Sequence, residues 1–202
     1  MIVFGLTGSI GMGKSTAAKM LRRLGLPLHD ADAAVHDLLG PRGAAVAAVA
    51  AAFPTVVVAG QVDRQRLGAM VFQDPVALSK LEALLHPRVR QLARDFLRVQ
   101  TRQKRRSVAL DIPLLFETGG DQLCDAVIVV TAPRFLQEAR VLSRPGMTVE
   151  RLRAIQGHQM LEREKCRRAD FVVQTGLAKG YTLRQLAAII TVVQGRGSTR
   201  LE

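Results

Sequence analysis

GSIGMGKS, residues 8–15, follows the apolar run IVFGL at 2–6 and precedes an amphipathic stretch, Ser15 to Leu24, with Ala18, Met20, Leu21 and Leu24 near helical spacing. It fits GxxxxGK[ST], and its place between a strand and a helix is the context that gives this pattern its physical meaning. The glycines let successive backbone N–H groups converge on phosphate oxygens, and the helix N-terminus adds partial positive charge. Lys14 is expected to reach the β and γ phosphates of a triphosphate, and the Ser15 hydroxyl to ligate Mg2+. Gly8, Gly11, Met12, Gly13, Lys14, Ser15 and Thr16 are the candidate ATP contacts.

Outward from the loop, Gly25 ends the first helix, Pro27 prevents its continuation, and LPLH (26–29) enters a second strand closing on Asp30 and Asp32. From Ala33 to about Arg106 the pattern is almost wholly helical. An alanine-rich helix is expected over 44–53, Asp63 caps a helix to Phe72, and Asp74-Pro75 caps another. Leu78, Leu81, Leu84 and Leu85, then Val89, Leu92, Phe96 and Val99 beyond an expected break at His86-Pro87, give that insertion its own apolar face. Strands return at 107–112 and 126–131, helices at 134–143 and 149–168 with Thr148 as cap, a last strand at 171–173 and a last helix at 182–193. Strands alternating with helices predict an α/β fold, a parallel sheet covered on both sides.

The 202 residues fit one domain with a sizeable insertion, and 48% apolar with 23% charged residues is globular composition. No basic n-region precedes the first apolar run, and no apolar run approaches the roughly 20 residues of a membrane span, so a cytoplasmic protein without membrane association is expected. Cys124 and Cys166 lack metal-like spacing and read as reduced, incidental thiols. Net charge of +12 points to anionic partners, yet only 4% of residues are aromatic and no basic patch is interleaved with stacking residues, so no dedicated nucleic-acid partner is expected.

No Asn-Lys-x-Asp guanine-reading motif occurs, which disfavours a GTPase, and the length leaves little room for a ring-forming ATPase. A small-molecule kinase needs a helical acceptor-binding insertion and an arginine-bearing lid, and both patterns are present. Asp30 and Asp32 fall at the strand edge where open α/β sheets bind ligands; either accepts a proton from an acceptor hydroxyl or caps the following helix. Arg140 and Arg144, four apart before Pro145-Gly146, either clamp the transferring phosphoryl group or are solvated; Arg151 and Arg153 carry less weight. Asp111 either holds the metal through water or makes a turn, His86 either touches an acceptor phosphate or caps its helix, and His29, His36 and His158 read as structural or surface residues.

The chain resembles the dephospho-CoA kinase family. The resemblance rests on GLTGSIGMGKST (5–16), DAD (30–32), VDRQRLGAMVFQDP (62–75), LLHP (84–87), LDIPLLFE (110–117) and the 137–144 segment, in family order. It implies ATP-dependent phosphorylation of the ribose 3'-hydroxyl of dephospho-CoA, with Asp32 as base, Lys14 as phosphate ligand and Arg140 and Arg144 as lid arginines. It implies a P-loop kinase core at about 1–36, 106–139 and 166–195, a helical acceptor domain at about 37–105, a helical lid at about 140–165 and a loose tail at 196–202. Arg64, His86, Leu114, Leu115 and Glu117 become acceptor-pocket candidates. The sequence departs from the family pattern at VVQTG (172–176), which stands where an Asp-Asn-x-Gly sequence is usual near the adenine, and at Arg144-Pro145-Gly146, where Arg-Asp is more usual. The rival readings are a P-loop kinase for a nucleoside, nucleotide or shikimate-like acceptor, and a basic nucleic-acid-binding protein switched by ATP.

Overall fold

The computed structural model describes residues 1–72 and 74–198. The chain opens with β1 (Ile2–Thr7), α1 (Lys14–Arg23) and β2 (Leu28–Asp30). Next come α2 (Ala31–Leu39), α3 (Val46–Ala52), a 3-10 turn at Pro54–Val56, β3 (Val57–Val58), β4 (Gln61–Val62), α4 (Arg64–Phe72) and α5 (Pro75–Arg102). Then follow β5 (Ser107–Asp111), a 3-10 turn at Gly120–Leu123, β6 (Ala126–Thr131), α6 (Arg134–Leu142), α7 (Val149–Gly157), α8 (Glu162–Arg168), β7 (Phe171–Gln174) and α9 (Lys179–Ser198). The contacts divide the chain into two compact units: residues 1–29 with the chain from Val99 onward, and residues 30–98.

The first unit is built on a sheet of order β2-β5-β1-β6-β7. β1 pairs in parallel with β5 and β6, and β6 with β7. Because side chains alternate along a strand, β6 feeds two cores: Ala126, Ile128 and Val130 join Phe4, Leu6, Leu21 and Leu186 on one face, and Val127 and Val129 join Leu115 and Phe116 on the other. Both faces are therefore covered, which is why β5 and β6 read as unbroken apolar runs. Burying side chains such as Phe4 and Leu6 completely stabilises the fold by about 1.5–3 kcal/mol each. The register sets Leu6 opposite Asp111, so the end of β5 lies level with the start of the phosphate loop.

The second unit has its own core of Leu38, Leu39, Val49, Phe53, Val56, Val62, Leu67, Val71, Leu81 and Leu85. Its helices begin at the expected acids: Asp63 Oδ1 accepts from the amides of Gln65 and Arg66, and Asp74 Oδ1 from those of Val76 and Ala77.

Four expectations need correction. The expected break at His86-Pro87 is absent, for Pro87 lies inside the continuous α5. Proline removes one helical N–H and spreads the preceding turn, and Arg88 Nη1 donates to the Leu84 carbonyl oxygen there at 2.7 Å. The insertion, expected to be almost wholly helical, contains the β3–β4 hairpin, whose central residues Ala59 and Gly60 have φ of 48° and 75°, the conformation of a tight hairpin turn. The helix expected over 149–168 is two, α7 and α8, separated at residues 158–161. The second strand closes on Asp30 alone, because Asp32 lies in the first turn of α2. Of the tail expected to be loose, 196–198 continue α9, and 199–202 lie outside the described residues. No described helix is long and apolar enough to cross a membrane.

Candidate active site

The loop closes on itself through the Met12 N–H, which donates to the Ser9 carbonyl at 3.1 Å. Gly11 and Gly13 have φ of 77° and 86°, a region that penalises any Cβ. A Cβ would also come within 2.6 Å of Val141 Cγ2 at Gly11 and 2.7 Å of Thr175 Oγ1 at Gly13. α1 starts on this turn with no side-chain cap and no acid in its first turn, which leaves its positive end for an external anion. Ser15 and Thr16 are exposed, and Met12 is buried with its sulfur 3.2 Å from the Ala132 amide.

Lys14 Nζ lies 2.6 Å from Asp111 Oδ1, with only 14% and 4% of the two side chains exposed. The strand register produces this meeting: β5 delivers Asp111 beside the loop, and Thr7 Oγ1 donates to the Pro113 carbonyl at 2.8 Å, tying the ends of β1 and β5 together. A hydroxyl at Ser15 and a carboxylate at Asp111 are hard oxygen donors. Among the described residues no cluster of three or more His, Cys, Asp or Glu can hold a metal. That donor set suits Mg2+, which binds few protein oxygens and completes its shell with phosphate and water.

Arg140 is engaged within the same unit. Nη2 donates to the Thr175 carbonyl at 2.8 Å, and Nη1 lies 3.2 Å from Thr175 Oγ1 and 3.4 Å from the Gly11 carbonyl. Thr175 in turn donates to the Met12 carbonyl at 2.7 Å. The residue that ends the departing VVQT segment thus buttresses the phosphate loop from the end of β7. Arg144 is exposed two residues beyond α6. Arg151 Nη1 donates to the Gly146 carbonyl at 2.7 Å, and Thr148 caps α7.

The acceptor candidates divide. Asp32, Arg64 and His86 belong to the second unit: Asp32 and Arg64 are exposed on the first turns of α2 and α4, and His86 is half-buried on α5. Asp30 acts as the cap of α2, its Oδ1 accepting from the Ala33 amide at 3.1 Å. Leu115, a candidate for the acceptor pocket, has its side chain fully buried in the core with Phe116, Val127 and Val129. Leu114 is half-buried, its carbonyl accepting from Thr118 Oγ1 at 2.7 Å. Glu117 is already committed: Oε1 accepts from the Met160 amide at 2.9 Å and lies 2.9 Å from Nζ of the fully buried Lys165. The two cysteines are free, and burial, aided by Asp121, Asp125 and Asp170, pushes the Cys124 thiol up to about 12.

Sequence reasoning missed Gln137, Gln159 and Glu162 as partners of the loop. Gln137 Nε2 donates to the Ile10 carbonyl at 2.8 Å, the Ile10 amide donates to Gln159 Oε1 at 3.1 Å, and Ser9 Oγ donates to Glu162 Oε2 at 2.6 Å. Separations of 127, 149 and 153 residues leave no local pattern to read.

A mostly parallel five-stranded sheet flanked by helices, with a glycine-rich loop joining β1 to α1 and a lysine meeting a carboxylate at the next strand end, defines a P-loop kinase fold. The family model described as Dephospho-CoA kinase matches residues 2–179. A dephospho-CoA kinase from Paramagnetospirillum magneticum is 60% identical over 195 residues, 96% of this chain and 92% of the relative. A Thermus thermophilus protein of known crystal structure superposes with TM-score 0.81 at 36% identity, covering 95% of this chain and 96% of that one. Dephospho-CoA kinase from Campylobacter jejuni shares the fold with TM-score 0.71 at 24% identity, covering 96% and 98%. The chain belongs to the dephospho-CoA kinase family.

Proposed function

We propose that this chain transfers the γ-phosphoryl group of ATP to the ribose 3'-hydroxyl of dephospho-CoA, yielding coenzyme A in the last step of its synthesis. The observation that carries the reading is the 60% identity to a dephospho-CoA kinase along 96% of the chain, in a protein whose loop and helix end are shaped for a polyphosphate. The glycine turn and the start of α1 bind the phosphates, and Lys14 exchanges part of its pairing with Asp111 for the β and γ oxygens. Ser15, with Asp111 through water, would hold Mg2+, which would supply charge neutralisation at the phosphates.

Asp32 orients the acceptor hydroxyl and takes its proton as the bond to phosphorus forms. At the start of α2 its side chain is exposed, which suits this role. Arg144 meets the transferring phosphoryl group when the 143–148 loop folds over it, while Arg140 fixes the loop from beneath through Gly11 and Thr175. Arg64, His86 and Leu114 contribute to acceptor binding. The setting is the cytoplasm.

Labelled ATP offered with a panel of acceptors tests the reading. Label is expected on dephospho-CoA and not on nucleosides, nucleotides or shikimate. Transfer to one of the others with none to dephospho-CoA overturns it.

A further inference from the structure

Ile10, near the middle of the phosphate loop, is held from both sides by glutamines from distant segments. Gln159 Oε1 accepts from the Ile10 N–H at 3.1 Å, which fixes the peptide plane joining Ser9 to Ile10. Gln137 Nε2 donates to the Ile10 carbonyl at 2.8 Å, which fixes the next plane. That plane also carries the Gly11 N–H, and a trans peptide sets the N–H opposite its C=O. Holding the Ile10 carbonyl therefore aims the Gly11 N–H.

The neighbouring contacts reinforce this hold. Ser9 Oγ donates to Glu162 Oε2 at 2.6 Å, and Gln156 Nε2 reaches Gln137 Oε1 at 3.4 Å. Ser9 and Gln137 are 7% and 5% exposed, so water competes little for these bonds. Three of the four side chains come from residues 156–162, the end of α7 and the start of α8. The Met12 N–H is used within the loop, whereas the amides of Gly11, Gly13, Lys14 and Ser15 enter no hydrogen bond among the described residues. Those amides are the ones a phosphate recruits, and they recognise it only if they converge.

We propose that Gln137, Gln159 and Glu162 are positioning residues for nucleotide binding, so that the α7–α8 segment sets the aim of the phosphate loop. The proposal rests on the kinase reading above and concerns its nucleotide half. None of the three touches the reacting atoms; the glutamines act through the Ile10 backbone and Glu162 through the Ser9 hydroxyl.

The test compares Gln159→Met, Glu162→Ala and Glu162→Gln with the wild-type chain by calorimetric titration with MgATP and, separately, with dephospho-CoA, each protein checked by thermal melting. Gln159→Met keeps the length of the side chain and loses its amide acceptor; Glu162→Gln keeps an acceptor for Ser9. Gln159→Met and Glu162→Ala are expected to weaken MgATP about tenfold each, the value of one well-formed hydrogen bond to a sheltered partner. Glu162→Gln is expected to recover affinity to within about twofold of wild type, and dephospho-CoA affinity to change less than about twofold throughout. Unchanged MgATP affinity, equal weakening of both ligands, or a Gln variant no better than Ala overturns the proposal. Should Gln159→Met melt below the working temperature, the Glu162 pair decides. A wild-type chain that binds MgATP but not dephospho-CoA refutes the acceptor assignment while leaving the nucleotide comparison readable.

Discussion

Replacing Glu117 by alanine removes the carboxylate 2.9 Å from the ammonium of Lys165, whose side chain has no exposure to solvent. It also removes the acceptor of the Met160 amide. Stranding a buried charge costs about 3–5 kcal/mol, although the intact pair is worth much less than that because both ions were desolvated to form it. For a chain of this size each kcal/mol moves the melting temperature by about 2–4 °C, so Glu117→Ala is expected to melt about 6–20 °C lower. Lys165→Met takes away the charge and keeps an unbranched apolar chain of similar length. In the double variant the stranded charge is gone, and the loss is expected to shrink to about 2 kcal/mol or less. Urea denaturation followed by circular dichroism on wild type, both single variants and the double variant gives the coupling directly, provided the slopes agree. If the double variant is as unstable as the two single losses added together, Lys165 and Glu117 are not a coupled pair and the reasoning is refuted.

Asp32→Asn should lower kcat by about 10²–10⁴-fold, the usual contribution of a general base, with MgATP affinity unchanged; steady-state kinetics with titration checks both. The Cys124 thiol, pushed from an ordinary 9.0 to about 12, keeps its proton in the folded chain while the unfolded chain loses it. Between about pH 9 and pH 12 the unfolded state thus binds fewer protons and stability falls as pH rises, by up to about 1.4 kcal/mol per pH unit. Cys124→Ala is expected to flatten that alkaline decline in denaturation curves taken at pH 8 and pH 10.

The features legible in the sequence are those written in local chemistry. Gly8 to Ser15, the caps at Asp63, Asp74 and Thr148, and the apolar runs of β5 and β6 each state their structure within a few residues. What was not legible depends on distant or weak partners. The β3–β4 hairpin has two residues per strand and turns on Ala59-Gly60, a weaker signal than Asn-Gly. Pro87 reads as a break because proline lacks an N–H, yet α5 continues through it, with Arg88 Nη1 donating to the Leu84 carbonyl. Leu115 sits in a motif of LDIPLLFE that looks like pocket lining, and only the second sheet face explains its burial. The departure at VVQTG says nothing locally of its partners; in the fold, Thr175 of that stretch bonds Met12 and receives Arg140.

The most direct test of the central claim is incubation of the chain with ATP, Mg2+ and dephospho-CoA, followed by mass and positional analysis of the product. One added phosphoryl group on the ribose 3'-oxygen is the predicted result. No gain of phosphate on dephospho-CoA, or phosphate at any other position, contradicts the account.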